Sequence, residues 1–224
     1  MPANKEDIVR NAFDSISDKY ELIASIISFG IVQELRKKMI KEIKPHGDIL
    51  DCGAGTGKLT ETIIKYYPES HVIPMDINNN MVQNRKNKNI DFVMGNVENM
   101  PFNDRTFDYV VSSFVTRNLS NVDNFFSESF RVLKPGGIFA TIDAFNPENK
   151  AFYNLYSLYF YHFIPFIGNI MTGSNAYTYL ANSIKNFYSI REMSNRIELA
   201  GFKIYEIKSY IYGIASMHIA VKPE

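Results

Sequence analysis

The densest run of residues able to do chemistry is Asp51-Cys52-Gly53-Ala54-Gly55-Thr56-Gly57, followed about 20 residues later by a second acid, Asp76. Glycines between a strand and a helix let backbone N–H groups approach a ligand closely, and they open a helix whose positive end faces it. An acid closing the next strand is placed to accept hydrogen bonds from ribose hydroxyls, so the pair suits a nucleoside. Two rival readings fail on spacing. A dinucleotide fingerprint would require glycine or alanine at position 58, where Lys58 stands, and a Walker loop would require Gly-Lys-Ser/Thr, which is missing from residues 53–60. A purely structural turn explains the glycines alone but not their combination with Asp51 and Asp76.

These residues need a frame. Residues 1–45 carry helical periodicity, with Asn4 or Asp7 able to cap the first helix and Pro45 closing the last. Strand–turn–helix units follow, with strands at 48–52, 71–76, 90–94, 107–112 and 138–143 and helices at 58–67, 79–88 and 121–133. Strands separated by helices require crossover connections, hence an α/β, Rossmann-like, doubly wound and mostly parallel sheet. Residues 147–188 interrupt the rhythm with a helical insertion rich in Tyr and Phe; a helix at 190–200 and two closing strands, 202–210 and 214–221, make seven strands with an antiparallel C-terminal pair. A single domain is expected over 1–224: helical lid 1–45, ligand-binding core 46–146, helical cap 147–188, and closing helix and strands 189–224.

Composition narrows the classes. Of 224 residues, 24 are Lys or Arg and 24 Asp or Glu, so the formal net charge is zero, which disfavours a nucleic-acid surface. The single cysteine excludes an internal disulfide and a Cys-based zinc site, and fits a reducing, cytoplasmic setting. No metal-ligand spacing appears. The N-terminus lacks the apolar core of a signal peptide, and the most apolar stretch, 155–168, is too short to span a bilayer and is interrupted by His162 and Pro165.

Taken together, Asp51-x-Gly53-x-Gly55-x-Gly57 and Asp76 resemble class I S-adenosylmethionine-dependent methyltransferases. Gly95-Asn96-Val97-Glu98, Phe107-Asp108-Tyr109-Val110 and Arg131-Val132-Leu133-Lys134-Pro135-Gly136-Gly137 follow in that fold's order. Phe13-Asp14, Ser28-Phe29-Gly30, Phe114-Val115-Thr116-Arg117-Asn118, Tyr177-Thr178-Tyr179-Leu180-Ala181 and Gly213…His218 narrow the resemblance to the ubiquinone/menaquinone biosynthesis C-methyltransferases. Three departures bear on the acceptor: Leu35-Arg36 without the usual Trp, Asp143-Ala144-Phe145 after the fifth strand, and Asn175-Ala176 before the second tyrosine motif.

The resemblance implies that Thr56, Asp76, Asn96, Val97 and Ser113 hold S-adenosyl-L-methionine, with Gly53, Gly55 and Gly57 shaping the turn. Asp51 either faces the amino group of the methionine moiety or orients the turn. Tyr20 is a candidate lid or cation–π contact for the sulfonium. Arg117 would stabilise a developing phenolate, supported by Asn118; a guanidinium is permanently protonated and cannot be the base. His162, His218, Asp143, Tyr156 and Tyr177 are further pocket candidates, the histidines reading equally as core residues. The implied acceptor is a lipophilic quinol, with peripheral membrane association and a homodimer as compatible partners. The alternatives are another lipophilic or phenolic acceptor, or a non-catalytic S-adenosylmethionine-binding protein.

Overall fold

A computed structural model describes residues 5–15, 25, 28–85 and 87–224. Asn4, a proposed cap, and Tyr20 lie outside what it describes, and Asp7, the other proposed cap, falls inside the first helix, which begins at Lys5. The sheet has seven strands: β1 (Asp48–Cys52), β2 (His71–Asp76), β3 (Val93–Met94), β4 (Phe107–Ser113), β5 (Leu133–Ala144), β6 (Lys203–Tyr210) and β7 (Ala215–Val221), in the order β3-β2-β1-β4-β5-β7-β6. The first five are mutually parallel, and β7 runs antiparallel to both β5 and β6. The order reverses between β1 and β4. Open α/β sheets bind ligands where it does so, outside the carboxyl ends of the strands.

Helices α1 (Lys5–Asp14), α2 (Ile31–Ile43), α3 (Lys58–Tyr66), α4 (Asn79–Gln83), α5 (Val122–Val132), α6 (Lys150–Leu158), α7 (Ile164–Thr172), α8 (Ala176–Lys185) and α9 (Ile190–Leu199) surround it. Alternation along the buried strands divides the core. Leu50, Cys52, Val110 and Phe139 face α5 and α9, whereas Ile49, Val111, Ala140 and Ile142 face α2 and α3. A third cluster, Ile164, Ala176 and Tyr177, lies within the insertion and packs on Ala12 of α1.

Several expected elements shorten. The helix expected over 79–88 stops at Gln83 and the strand over 90–94 retains only Val93 and Met94; the Asn- and Lys-rich segment between them carries turns at 84 and 88–89, with Asn87 Oδ1 accepting from Asn89 N, as Asn side chains bond turns in preference to helix interiors. Conversely, β5 begins at Leu133, because Lys134-Pro135-Gly136-Gly137 runs on in extended form, with Leu133 registered on Phe107. Pro165 does not interrupt the insertion. A π-helical turn (Tyr159–Phe163) passes directly into α7, and this widened turn immediately before Pro165 accommodates the proline within a continuous helical run.

Gly168 of α7 fixes how close the insertion packs. A Cβ there would lie 2.4 Å from Cγ of the Tyr177 ring on α8. Gly168→Ala is expected to destabilise the protein by about 1–3 kcal/mol through overpacking. Thermal denaturation should show Tm falling by several degrees, and an unchanged Tm would mean the two helices separate freely.

Candidate functional site: two cavities sharing one aromatic wall

The glycine turn leaves β1 in left-handed backbone: φ is 68° at Gly53, 56° at Gly55 and 81° at Gly57. At Gly53 a side chain is also blocked by packing, since a Cβ would meet Val115 at 2.5 Å. The turn's N–H groups are spent differently from the expected ligand cradle. Those of Gly53 and Ala54 donate to the Met75 carbonyl at 2.8 and 3.0 Å, and that of Gly55 donates to Asp76 Oδ2 at 2.7 Å. The turn is thus laced to the end of β2, and its glycines serve tight backbone approach more than amide donation.

Asp76 is the hub of that lacing. Its Oδ1 accepts from the Asn78 amide at 2.7 Å, and burial raises its pKa against the opposing pull of these backbone donors. Asn78 caps α4 through Met81 N and also donates to Asp14 of α1 at 2.9 Å, which draws the N-terminal helix over the crevice. A second tether runs from Lys5 Nζ to the Leu119 carbonyl.

A cavity of about 130 Å³ opens here, lined by Gly53, Gly55, Thr56, Asp76, Asn96, Val97, Ser113 and Asn118, together with Phe13 of α1 and Arg36 of α2. Eight of the sequence-predicted residues therefore share one crevice. Asn96 turns its side chain inward on its own loop, Oδ1 accepting from Glu98 N at 2.8 Å, which leaves its backbone and the buried Val97 as wall. Asp51 and Gly57 are absent from the lining. Asp51 is buried behind the turn, where Thr60 Oγ1 donates to it at 2.6 Å, and burial pushes its pKa up to about 6 against the Thr60 bond and the Arg36 charge. This geometry suits orienting the turn better than meeting an amino group.

Beside the crevice lies a larger cavity of about 240 Å³, walled by α2, the insertion and the end of β5. Its lining is apolar and aromatic, including Leu35, Tyr156, Phe160, Tyr177 and Ile184, with the Arg117 guanidinium as the charged group. Phe13 and Phe114 belong to both linings, so the two cavities share an aromatic wall. Phe114 stands at φ 62°, a strained conformation for a non-glycine residue. It is held there by its amide on the Ile142 carbonyl at 2.7 Å, while its own carbonyl accepts from Arg117 at 2.8 Å and from Asn118 Nδ2 at 3.3 Å.

Arg117 and Asn118 diverge at this wall, the first towards the apolar cavity and the second towards the polar crevice. Arg117 donates to Asp143 Oδ1 at 2.6 Å, and both side chains are almost fully buried. Thr116 Oγ1, Arg117 N and Ala144 N also donate to that carboxylate. Four donors on two oxygens make Asp143 a holder of Arg117. Tyr179 reaches Asn118 Oδ1 at 3.1 Å, and burial pushes its hydroxyl up to about 12; burial likewise raises that of Tyr156.

A family model described as the ubiE/COQ5 methyltransferase family matches residues 1–222. The chain belongs to that family. Among curated proteins it is 33% identical to a demethylmenaquinone methyltransferase of Bacillus cytotoxicus, over all of this chain and 99% of that one. A Thermotoga maritima structure described as a SAM-dependent methyltransferase shares the fold at a TM-score of 0.69 and 17% identity, over 96% of this chain and 99% of that one. Phosphoethanolamine N-methyltransferase 2 of Haemonchus contortus, solved with S-adenosylhomocysteine, aligns at a TM-score of 0.68 and 15% identity, over 96% of this chain and 60% of that one. The chain is accordingly a methyltransferase with the expected Rossmann-like fold, and family membership supports S-adenosylmethionine as its methyl donor.

This methyltransferase also carries features its sequence did not announce. Arg36 reads as part of a solvated helix face among Glu34, Lys37 and Lys38, yet it is 6% exposed and donates through Nε to Ser113 Oγ at 3.2 Å. The link from Thr116 through Asp143 to Arg117 joins two strands' ends and has no local signature. Among the described residues no cluster of His, Cys, Asp or Glu could hold a metal ion. His162 is exposed and His218 lies under α9, 3.2 Å from Ser194 Oγ, and neither lines either of these two cavities.

Burial lowers the His218 pKa to about 4. The folded state therefore binds this proton less readily than the unfolded chain, so His218 contributes stability above pH 6.5 that is lost as the pH falls towards 4, about 3 kcal/mol in all. Asp51, shifted upward, acts with the opposite sign between about 6 and 3.8 and masks the effect in the whole protein. The stability advantage of wild type over His218→Gln should shrink by about 2–3 kcal/mol between pH 7 and 4.5 in urea titrations; a constant difference would show that His218 protonates freely in the fold.

Proposed function

We propose that this chain transfers a methyl group from S-adenosylmethionine to a ring carbon of a polyprenylated quinol, of the demethylmenaquinol type named for its Bacillus relative. The observation that carries this reading is the pairing of a polar crevice holding Asp76 with an apolar cavity holding one buried guanidinium, across a wall shared by Phe13 and Phe114. The crevice fits the donor: Asp76 for the ribose, Asn96 and Val97 for the adenine, Thr56 and Ser113 for the amino-acid end. When bound, S-adenosylmethionine supplies an electrophilic methyl on a cationic sulfur. The chain's own residues align the acceptor, exclude water and steady charge on it. Arg117, fixed by Asp143, is placed to favour the phenolate form of a quinol hydroxyl, which makes the adjacent ring carbon nucleophilic. Its aromatic surroundings strengthen that interaction by excluding solvent.

A cavity of about 240 Å³ lies below the roughly 300–1,000 Å³ typical of drug-sized ligands, so it suits a ring and the start of a tail but not a long polyprenyl chain. The remainder must leave. The helices that wall the cavity turn Leu155, Leu158, Phe166 and Ile170 outward, each more than 60% exposed, an apolar surface suited to the edge of a bilayer. No described helix is long and apolar enough to cross a membrane. Co-sedimentation with vesicles is expected, and Leu158→Glu/Phe166→Glu should abolish it; wild type left wholly in the supernatant at low salt would remove the membrane role.

The decisive assay supplies labelled S-adenosylmethionine with a reduced short-tailed demethylmenaquinone, and in parallel a tail-less naphthoquinol and simple phenols. Label on a ring carbon of the tailed quinol, with weaker transfer to the tail-less ring, supports the reading. Transfer only to simple phenols, or to oxygen, would replace it.

A further inference from the structure

A quinol ring carries two oxygens, para to each other, and Arg117 is placed to meet the one that becomes the phenolate. The second oxygen, buried in the same apolar cavity, would cost about 1–3 kcal/mol without a partner of its own. Tyr179 in the wall already gives its hydroxyl to Asn118. Two other hydroxyls of the lining, those of Tyr156 and Ser28, are buried and complete no hydrogen bond among the described residues. Ser28 lies in the turn before α2 and is partly exposed, whereas Tyr156 is 5% exposed and its ring is fixed. That ring stacks on Phe160 at 5.1 Å and 12°, and meets Tyr161 edge-on at 5.7 Å and 85°. The Tyr161 hydroxyl stands beside that of Tyr156 but outside bonding geometry, and its hydrogen is committed to Asn146 Oδ1. Asn146 is held in turn, its Nδ2 donating to the Ile184 and Lys185 carbonyls at 3.0 and 3.2 Å. The Arg117 charge reaches the Tyr156 hydroxyl, opposing the upward pull of burial on its pKa, so the two groups belong to one end of the cavity. A rigid ring that keeps a buried hydroxyl unspent is explained by a ligand that spends it. We propose that the Tyr156 hydroxyl is the second anchor of the acceptor, bonding the ring oxygen para to the one that Arg117 steadies, so that the cavity selects a para-diol over a monophenol.

The inference rests on the quinol reading, and the test tells their failures apart. Methyl transfer is compared on reduced short-tailed demethylmenaquinone and on the matching naphthol, which keeps the tail and the hydroxyl beside the methylated carbon but lacks the para hydroxyl. The two rings differ in intrinsic reactivity, but that difference is the same for every variant and cancels when each is set against wild type. Tyr156→Phe should lower kcat/KM for the quinol by about tenfold or more, and for the naphthol by less than about twofold. Phenylalanine removes a hydroxyl that the fold does not use, so Tm should stay at or above that of wild type. Ser28→Ala, which removes the other unspent hydroxyl, should shift the preference by less than about twofold. Equal losses on both rings, an unchanged preference, or a preference lost in Ser28→Ala and kept in Tyr156→Phe overturns the anchor. A Tm several degrees below wild type in Tyr156→Phe makes the hydroxyl part of the fold and overturns it too. Wild type that methylates neither ring overturns the quinol reading instead.

Discussion

Arg117→Ala lowers turnover by at least about 100-fold while the affinity for S-adenosylhomocysteine stays within a few-fold of wild type; that is the first result expected from the two-cavity arrangement. Arg117 faces the acceptor side of the aromatic wall, so its loss removes charge stabilisation from the ring oxygen without touching the donor crevice. Deleting one preorganised donor from a water-excluded site commonly costs about 3–4 kcal/mol of transition-state stabilisation. A confounding effect exists, because the variant strands the buried Asp143 carboxylate, and breaking such a pair destabilises by about 3–5 kcal/mol. Arg117→Ala/Asp143→Asn separates the two. The double variant should recover much of the lost Tm by removing the stranded charge, yet remain as slow as Arg117→Ala. Recovery of turnover together with Tm would show that Arg117 only holds the fold, and the acceptor chemistry would need another cation.

The contrast between Asp76 and Arg36 shows what a sequence can and cannot expose. Asp76 is legible because its role is local to a strand–turn–helix–strand unit whose spacing repeats wherever the fold binds a nucleoside. Arg36 is hidden because a helix position is judged by its neighbours in sequence, and Glu34, Lys37 and Lys38 advertise solvent. What buries Arg36 is the tip of β4, Ser113, 77 residues away. The same holds for Asp143: nothing near it in the chain foretells that it receives four donors, three from the loop after β4 and the residue following it. The mostly parallel seven-stranded sheet with its antiparallel closing strands and the helical insertion were readable from alternating periodicities; the strand order was not. Nor was the extent of α4, since the Asn-rich segment that follows it competes as turns with regular structure, and β3 proved only two residues long. The apolar cavity itself arises only when α2, the insertion and β5 meet, so aromatic content could signal a cap but not its hollow.

That dependence on a local unit makes the second large effect sharp. If Asp76 holds the ribose as proposed, Asp76→Ala should weaken S-adenosylhomocysteine binding by at least about 100-fold, because the carboxylate then serves the ligand as well as the crevice. Without it the ribose loses its charged acceptor, and the amides of Gly55 and Asn78 lose theirs, loosening the turn and the tether from Asn78 to α1 at once. Asp76→Asn offers one oxygen where two are needed and should fall between wild type and alanine. The ionised form does this work, and burial has raised the pKa of Asp76, so protons compete with the ligand at a higher pH than for an ordinary carboxylate. Wild-type affinity should therefore decline on acidification, and Asp76→Asn should lose that dependence along with most of the affinity. Calorimetry over descending pH reads both. If Asp76→Ala binds within tenfold of wild type, or if Asp76→Asn keeps the wild-type pH dependence, the ribose is gripped elsewhere and the assignment of the donor crevice fails with it.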